Sequence, residues 1–409
     1  MSYTPPQEVL ERYASVLVDF ALGGGTGIKP GDVVRITSPE CAKPFYVELR
    51  RAVWRAGGNV IGHYIPSDDD QYKVSRDFYE IASDEQLDFF AKNYMRGLVD
   101  DCDHQVAVIS DTDLHALEGI DPSKMMRVGK AMKPWLEWRT EKENAGNFTW
   151  TLGLYGTAAM AAEAEMTEQE YWEQIINACF LDEEDPLTRW KEVTGKVGEY
   201  MARLDALEIE KLHIQGEDVD LHILLGEQRK WAGGSGRNIP SFEIFTSPDW
   251  RGTEGWIKFN QPLYRYGNLV KGIRLEFKDG LVTSATAESN QDVLVKMVET
   301  ENADKVGEFS LTDKRFSRIT RFMASTLYDE NVGGPWGNTH IALGKSYHDC
   351  YAGDPSGVPA EEWERLGFND STVHTDIVST TDRVVTATLR SGEQRVIYSD
   401  GQFQLDDEG

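Results

Sequence analysis

Histidines, tyrosines and several carboxylates are concentrated between residues 326 and 376 of this 409-residue chain. His374 and Asp376 stand two positions apart. Because side chains on an extended strand alternate between its two faces, an H-x-D pair on a strand directs an imidazole and a carboxylate to the same side. Both groups bind divalent metals, and His340 offers a third ligand. The segment therefore predicts a metal site, although a single H-x-D pair also occurs often among ordinary surface residues.

The other histidines lack such neighbours and are interpreted as structural or exposed. They are His63, His104, His115, His213, His222 and His348. The four cysteines stand far apart with no C-x-x-C pair, which argues against a thiolate zinc site.

Composition limits the kinds of protein that can carry this site. Apolar residues make up 40% of the chain and aromatic residues 11%, enough for packed cores, and the length favours two domains. The net charge of -27 disfavours nucleic acids and anionic membranes as partners. No apolar run reaches the roughly 20 residues of a membrane helix, and the N-terminus lacks the features of a signal peptide. We therefore expect a soluble, cytoplasmic protein.

Residues 1–200 are expected to form an N-terminal α/β domain with a largely parallel sheet. Short apolar strands near residues 33–37, 59–64 and 105–110 alternate with amphipathic helices, which is typical of that class. The glycine run 23–27 does not indicate a phosphate-binding loop. It follows a helix and precedes a strand, the reverse of the order that such a loop requires.

Residues 201–409 are expected to form a C-terminal α+β domain rich in antiparallel strands, which carries the metal site. Short alternating segments such as KLHIQGE, DLHILLG and GIRLEFKDGLVTSATAE follow one another with turn residues between them. Short alternating segments separated by turn residues are typical of β-hairpins.

Five segments occur in an order typical of one enzyme family. They are NIPSFEIFTSPD (238–249), VGEFSL (306–311), TLYDEN (326–331), THIALGKSY (339–347) and NDSTVHTD (369–376). Together they resemble the M29 family of metallo-aminopeptidases, and KPGD near residue 30 extends the resemblance forward. The match is strong after residue 205 and looser before it.

The resemblance implies more metal ligands than residues 326–376 contain. Residues at the family's metal-site positions are Glu243, Glu308, Glu330, His340, His374 and Asp376. The loop between Glu330 and His340 is longer than is usual in the family, which leaves the register of Glu330 open. Tyr347, seven residues after His340, corresponds to a tyrosine of the family site.

Such a set implies two divalent metal ions, with Zn, Co and Mn all suited to these nitrogen and oxygen ligands. Two ions can hold the amine and carbonyl of a peptide N-terminus and lower the pKa of a water between them. The implied reaction removes N-terminal residues from short peptides, in a homodimer. Glu308 or Glu330 would accept the water proton, and Tyr347 would donate a hydrogen bond to the developing oxyanion.

Two other functions stay open from the sequence. His340, His374 and Asp376 also form the two-histidine, one-carboxylate set of mononuclear Fe(II) ring-cleaving dioxygenases. Glu243 and Glu308 argue against that alternative, because a single iron has no use for them. The second alternative is a metal-stabilised binding protein without catalysis.

Overall fold

The computed structural model describes residues 3–69, 71–265 and 268–406. They fall into two compact units, residues 1–190 with 235–240 and residues 191–234 with 241–409. The predicted division at residue 200 lies inside one long helix, Pro186–Ala206. Within the described ranges, none of the helices has the length and apolar character needed to cross a bilayer.

The first unit is organised around a parallel sheet. Its strands are β1 (Val33–Pro39), β2 (Asn59–Ile65), β3 (His104–Ile109) and β4 (Thr149–Leu154). They lie in the order β2-β1-β3-β4, and all three pairings are parallel. The α/β class with a parallel N-terminal sheet is therefore confirmed.

Helices precede, connect and follow these strands, and the last of them continues past residue 190 into the second unit. They are α1 (Gln7–Ser15), α2 (Leu22–Gly25), α3 (Lys43–Arg55), α4 (Val74–Ile81), α5 (Asp84–Leu87), α6 (Lys92–Asp101), α7 (Pro122–Ala131), α8 (Lys133–Asn144), α9 (Ala158–Glu163), α10 (Glu168–Ala178) and α11 (Pro186–Ala206). Helix α1 continues into a π-helical turn at Val16–Ala21 and packs on α3, where Tyr13 stacks on Phe45 at 4.6 Å. Helix α10 starts with a capping box from Thr167 and Glu170, which satisfies free backbone donors of its first turn.

The second unit contains the antiparallel strands that the sequence predicts. They are β5 (Ile209–Gly216), β6 (Val219–Leu224), β7 (Ala232–Gly233), β8 (Glu243–Thr246), β9 (Asp249–Lys258), β10 (Leu263–Arg265), β11 (Asn268–Val270), β12 (Arg274–Lys278), β13 (Leu281–Thr286), β14 (Val306–Thr312), β15 (Asn338–Gly344), β16 (His374–Ser379), β17 (Val384–Leu389), β18 (Gln394–Ser399) and β19 (Gln402–Phe403). Its helices are α12 (Gln291–Val298), α13 (Thr326–Asp329) and α14 (Ala360–Arg365).

Two sheets of this unit share one hydrophobic core. The larger sheet has the order β13-β12-β9-β6-β5-β17-β18-β19, and the smaller has the order β16-β15-β14-β8-β7. The core contains Leu212 and Leu221 from the larger sheet with Phe309 and Ile341 from the smaller. Because side chains alternate along a strand, the residues between these apolar positions lie on the other face of each sheet, away from the shared core. The candidate site lies on that second face of the smaller sheet.

Candidate metal centre

Strand register places most of the predicted ligands on one face of the smaller sheet. Glu243 of β8 lies opposite Thr312 of β14, and Ser310, two residues before Thr312, lies opposite His340 of β15. Residues directly opposite each other in a sheet share a face, as do residues two apart on one strand. Glu308 belongs to the same face through its i, i+2 relation to Ser310.

Strand β16 adds the remaining two ligands to this face. Asp376 lies opposite Ala342, which in turn lies opposite Glu308, and His374 lies opposite Gly344. Gly344 has a φ of +104°, a conformation that favours glycine, and any Cβ there would meet the backbone of Val373 at 2.1 Å. The H-x-D geometry expected from the sequence is therefore present on an ordered strand.

The side chains approach one another closely. Nε2 of His340 lies 3.1 Å from Oε1 of Glu308 and 3.2 Å from Oε2 of Glu243. Nε2 of His374 lies 3.4 Å from Oδ1 of Asp376 and 3.9 Å from Oε2 of Glu308. The two histidines thus face different oxygens of the same glutamate.

The cluster divides into two overlapping sets of possible ligands. One set is Glu243, Glu308 and His340, and the other is Glu308, His374 and Asp376. Within each set the ligand atoms lie within 4.8 Å of one another, and Glu308 belongs to both. Imidazole nitrogens with carboxylate oxygens suit divalent transition metals.

Hydrogen bonds at the outer nitrogens orient both imidazoles. Nδ1 of His374 donates to the carbonyl of Lys345 at 2.8 Å, because a carbonyl can only accept. Nδ1 of His340 lies 3.4 Å from Oδ1 of Asn338. In each ring Nε2 is consequently the nitrogen that faces the carboxylates, as in metal sites whose ligating histidines are held by a second hydrogen bond.

Glu330 belongs to neither of the two sets but is buried beside them at the end of α13. Asn331 Nδ2 lies 3.4 Å from its Oε1, and Asn338 Nδ2 donates to its backbone carbonyl at 2.8 Å. Burial, followed by the charges of Glu243 and Asp376, raises the pKa of Glu330 well above the ordinary value. The carboxyl group of Glu330 is therefore close enough to interact electrostatically with the acids of the cluster.

The pKa values of the clustered residues show that it is unfavourable to bury so many ionised acids close together. Burial raises the pKa of Glu308 to about 7; the hydrogen bond from His340 opposes this rise, and the charge of Glu243 adds to it. Burial alone would lower the pKa of His374, but Asp376 and Glu308 raise it to about 9. Burial also opposes ionisation of Asp376, yet His374 keeps the pKa of this carboxyl below its ordinary range. Bound cations would relieve the repulsion among the buried acids, so the residues fit a metal centre.

Tyr347 lies at the open side of the cluster. Its ring centroid is 4.5 Å from that of His374, and the side chain is 37% exposed. Partial burial, together with the charges of Glu308 and Asp376, raises the pKa of the phenol well above its ordinary value. The hydroxyl therefore remains a hydrogen-bond donor across the physiological pH range.

Sequence reasoning missed the polar residues that support the ligands. Ser310 Oγ donates to Oε2 of Glu243 at 3.2 Å, and Asn331 Oδ1 accepts from the backbone N–H of Phe242, next to Glu243. Arg265 helps to lower the pKa of Asp376. Of these residues, only Ser310 could have been identified from the sequence, because it stands two residues after Glu308 on the same strand and therefore shares its face.

Comparison with known proteins decides the family. The family model described as thermophilic metalloprotease (M29) matches residues 6–403. The chain belongs to the M29 family. This membership confirms the resemblance, and with it the prediction of a metal-dependent aminopeptidase rather than a dioxygenase. For an M29 metalloprotease, divalent metal ions and peptide substrates follow from the family.

Individual M29 relatives align over nearly the whole chain. Aminopeptidase T of Thermus thermophilus is 30% identical over 393 residues, which cover 90% of this chain and 92% of the relative. Aminopeptidase AmpS of Bacillus subtilis is 26% identical and covers 96% and 98%. The solved structure of wild-type AmpT from Thermus thermophilus superposes with a TM-score of 0.82 at 25% identity, covering 97% of this chain and 99% of that one. The M29 fold therefore extends over both units.

Proposed function

We propose that this chain is an aminopeptidase that removes N-terminal residues from short peptides at a dinuclear metal centre in residues 201–409. The observation that carries the proposal is the position of Glu308. Its Oε1 faces His340 and its Oε2 faces His374, so one carboxylate joins two ligand sets. A bridging carboxylate is what two neighbouring cations require to offset their repulsion.

The donor set supports zinc, cobalt or manganese. Each set combines one imidazole with two carboxylates, a mixture that all three metals accept. When bound, the ions supply Lewis acidity, which activates water and polarises the scissile carbonyl. Glu330 is our further candidate ligand, because it is buried and its pKa responds to the charges of Glu243 and Asp376.

The chain's own groups complete the reaction. Glu308 or Glu330 accepts the proton of the attacking water and passes it to the leaving amine, since burial raises the pKa of Glu308 to about 7 and the pKa of Glu330 well above its ordinary value. Tyr347 donates its hydroxyl hydrogen bond to the oxyanion that develops on the substrate carbonyl. The exposed edge of Tyr347 marks the side on which the peptide enters.

The homodimer and the cytoplasmic location expected from the sequence belong to the same proposal. Helix α4 supports a homodimer, because none of its described residues is buried although Val74, Phe78 and Ile81 form an apolar stripe at helical spacing. Ile81 is 80% exposed. We propose that a second copy covers this stripe. Phe78→Asp is expected to halve the mass measured by light scattering, whereas Val396→Asp, at an exposed valine of β18, is the control and should leave it unchanged.

Metal analysis combined with hydrolysis of a panel of aminoacyl anilides tests the catalytic proposal. We expect two tightly held ions per chain after gel filtration, and chelator-sensitive release of N-terminal residues. A single iron with oxygen uptake and no hydrolysis would overturn it. The panel also reports which N-terminal side chain the pocket prefers.

A further inference from the structure

A second cluster of metal-ligating side chains lies on the outer face of the larger sheet. It consists of His213 on β5 with Asp220 and His222 on β6. We propose that these three residues form an exposed binding site for a divalent transition-metal ion, separate from the catalytic centre.

The register of the β5–β6 hairpin brings the three side chains together. His213 lies directly opposite His222, and Asp220 stands two residues before His222 on the same face of β6. The two imidazole rings stack with centroids 4.0 Å apart and planes inclined by 15°. One ligand atom from each of the three residues lies within 4.8 Å of the other two.

The hairpin holds these side chains on a rigid support. Strand β5 is paired with β17 on its other side, and β6 is paired with β9. The alternate residues Leu212, Ile214, Leu221 and Ile223 are fully buried in the core. A site on such strands needs little reorganisation to accept an ion, so less conformational entropy is lost on binding.

An ordinary ion pair accounts for only two of the three residues. Nε2 of His213 lies 2.7 Å from Oδ1 of Asp220, with the carboxylate largely exposed. The side chain of His222 makes no hydrogen bond to another described residue and instead stacks on the imidazole of His213. A cation shared by both rings and by Asp220 gives all three groups a favourable partner.

The donor types select the class of ion. Two imidazoles and one carboxylate favour Zn²⁺, Ni²⁺ or Cu²⁺ over Mg²⁺ and Ca²⁺, which prefer all-oxygen sites. Because the cluster is exposed, water or a side chain of another molecule fills the remaining coordination positions. We expect weaker binding here than at the buried catalytic centre.

Zinc titration of the intact enzyme, with its two tight ions in place, tests the site. The wild type is expected to take up one additional, weaker ion per chain, and His222→Gln and Asp220→Asn to bind it at least about tenfold less tightly. His115→Gln is the matched control, because His115 is also exposed and paired with carboxylates, those of Glu118 and Glu163, but none of the three-residue sets among the described residues includes it. Anilide hydrolysis should be the same in all four proteins.

Copper provides an independent measurement. Cu²⁺ added to the zinc-loaded enzyme should give an electron paramagnetic resonance spectrum with coupling to two nitrogens, reduced to one in His222→Gln. Circular dichroism checks that the variants are folded. Equal zinc uptake by the wild type and His222→Gln would overturn the proposal. So would a loss of the catalytic ions in His222→Gln, because the ion would then belong to the catalytic centre.

Discussion

Glu308 and His340 lie on neighbouring strands with Oε1 3.1 Å from Nε2, and both side chains are almost completely buried. The second oxygen of Glu308 faces His374. A carboxylate in this position is the charge on which both halves of the cluster depend, so its removal should affect both ions.

Glu308→Gln keeps the size of the side chain and removes its charge. We expect fewer than two tight ions per chain, and a fall in kcat/KM of at least about a thousandfold, because both a bridging ligand and a proton acceptor are lost. Elemental analysis and anilide hydrolysis measure the two effects. Glu288→Gln, at an exposed glutamate paired with Lys258, is the control. Two tight ions and normal turnover in Glu308→Gln would contradict the bridging role.

Tyr347→Phe separates catalysis from metal binding. The variant is expected to keep both ions and to lose about a hundredfold to a thousandfold in kcat with a smaller change in KM, the usual effect of removing an oxyanion donor. His374→Ala should instead lose metal and activity together, since its Nε2 faces Asp376 and Glu308. Full activity of Tyr347→Phe would remove this residue from the mechanism.

Ser310→Ala tests a residue that supports a ligand without being one. Ser310 Oγ donates to Oε2 of Glu243, so the alanine variant should hold metal about tenfold to a hundredfold less tightly. Chelator competition measures this affinity. If Ser310 positions the ligand, activity should return when the variant is assayed with excess metal. A defect that excess metal does not rescue would point to a different role.

The surroundings of His348 predict that the protein loses stability at acidic pH through a residue that is not a metal ligand. Its ring stacks on Trp363 at 3.8 Å, and burial, with Lys345, lowers its pKa to about 4. The unfolded chain, with a histidine pKa of about 6.5, binds the proton first, so stability is lost as pH falls from about 6.5 towards 4. This loss amounts to at most ~3 kcal/mol in the free energy of unfolding.

His348→Phe keeps an aromatic ring against Trp363 but cannot titrate. Urea unfolding between pH 4.5 and 7 should therefore show a shallower loss of stability in this variant than in the wild type. Parallel curves for the two proteins would mean that folding does not lower the pKa of His348. The comparison cancels the titration of the metal centre, which both proteins share.

The local sequence pattern was sufficient to predict the fold class and to indicate imidazole and carboxylate groups as metal ligands. Alternating apolar residues identified the strands, and the H-x-D pair placed His374 and Asp376 on one face, because strand periodicity depends only on neighbouring residues. Helix ends were less predictable. The segment from Thr157 to Phe180 has a continuous helical pattern, which predicts one helix, but it forms the two helices α9 and α10 with Thr167 capping the second. A side-chain cap of this kind can end and restart a helix within an otherwise helical pattern.

The sequence by itself, through its H-x-D pair and its resemblance to the M29 family, predicted which residues could bind metal and fixed the order in which they occur along the chain. Only the tertiary structure decided that Glu243, Glu308 and His340 meet, that Glu308 faces both histidines, and that Glu330 lies beside the sets. It also paired His213 with His222, which the sequence analysis interpreted as structural or exposed residues. The physical reason is that register between strands separated by tens of residues depends on long-range packing and loop closure, which no local pattern encodes.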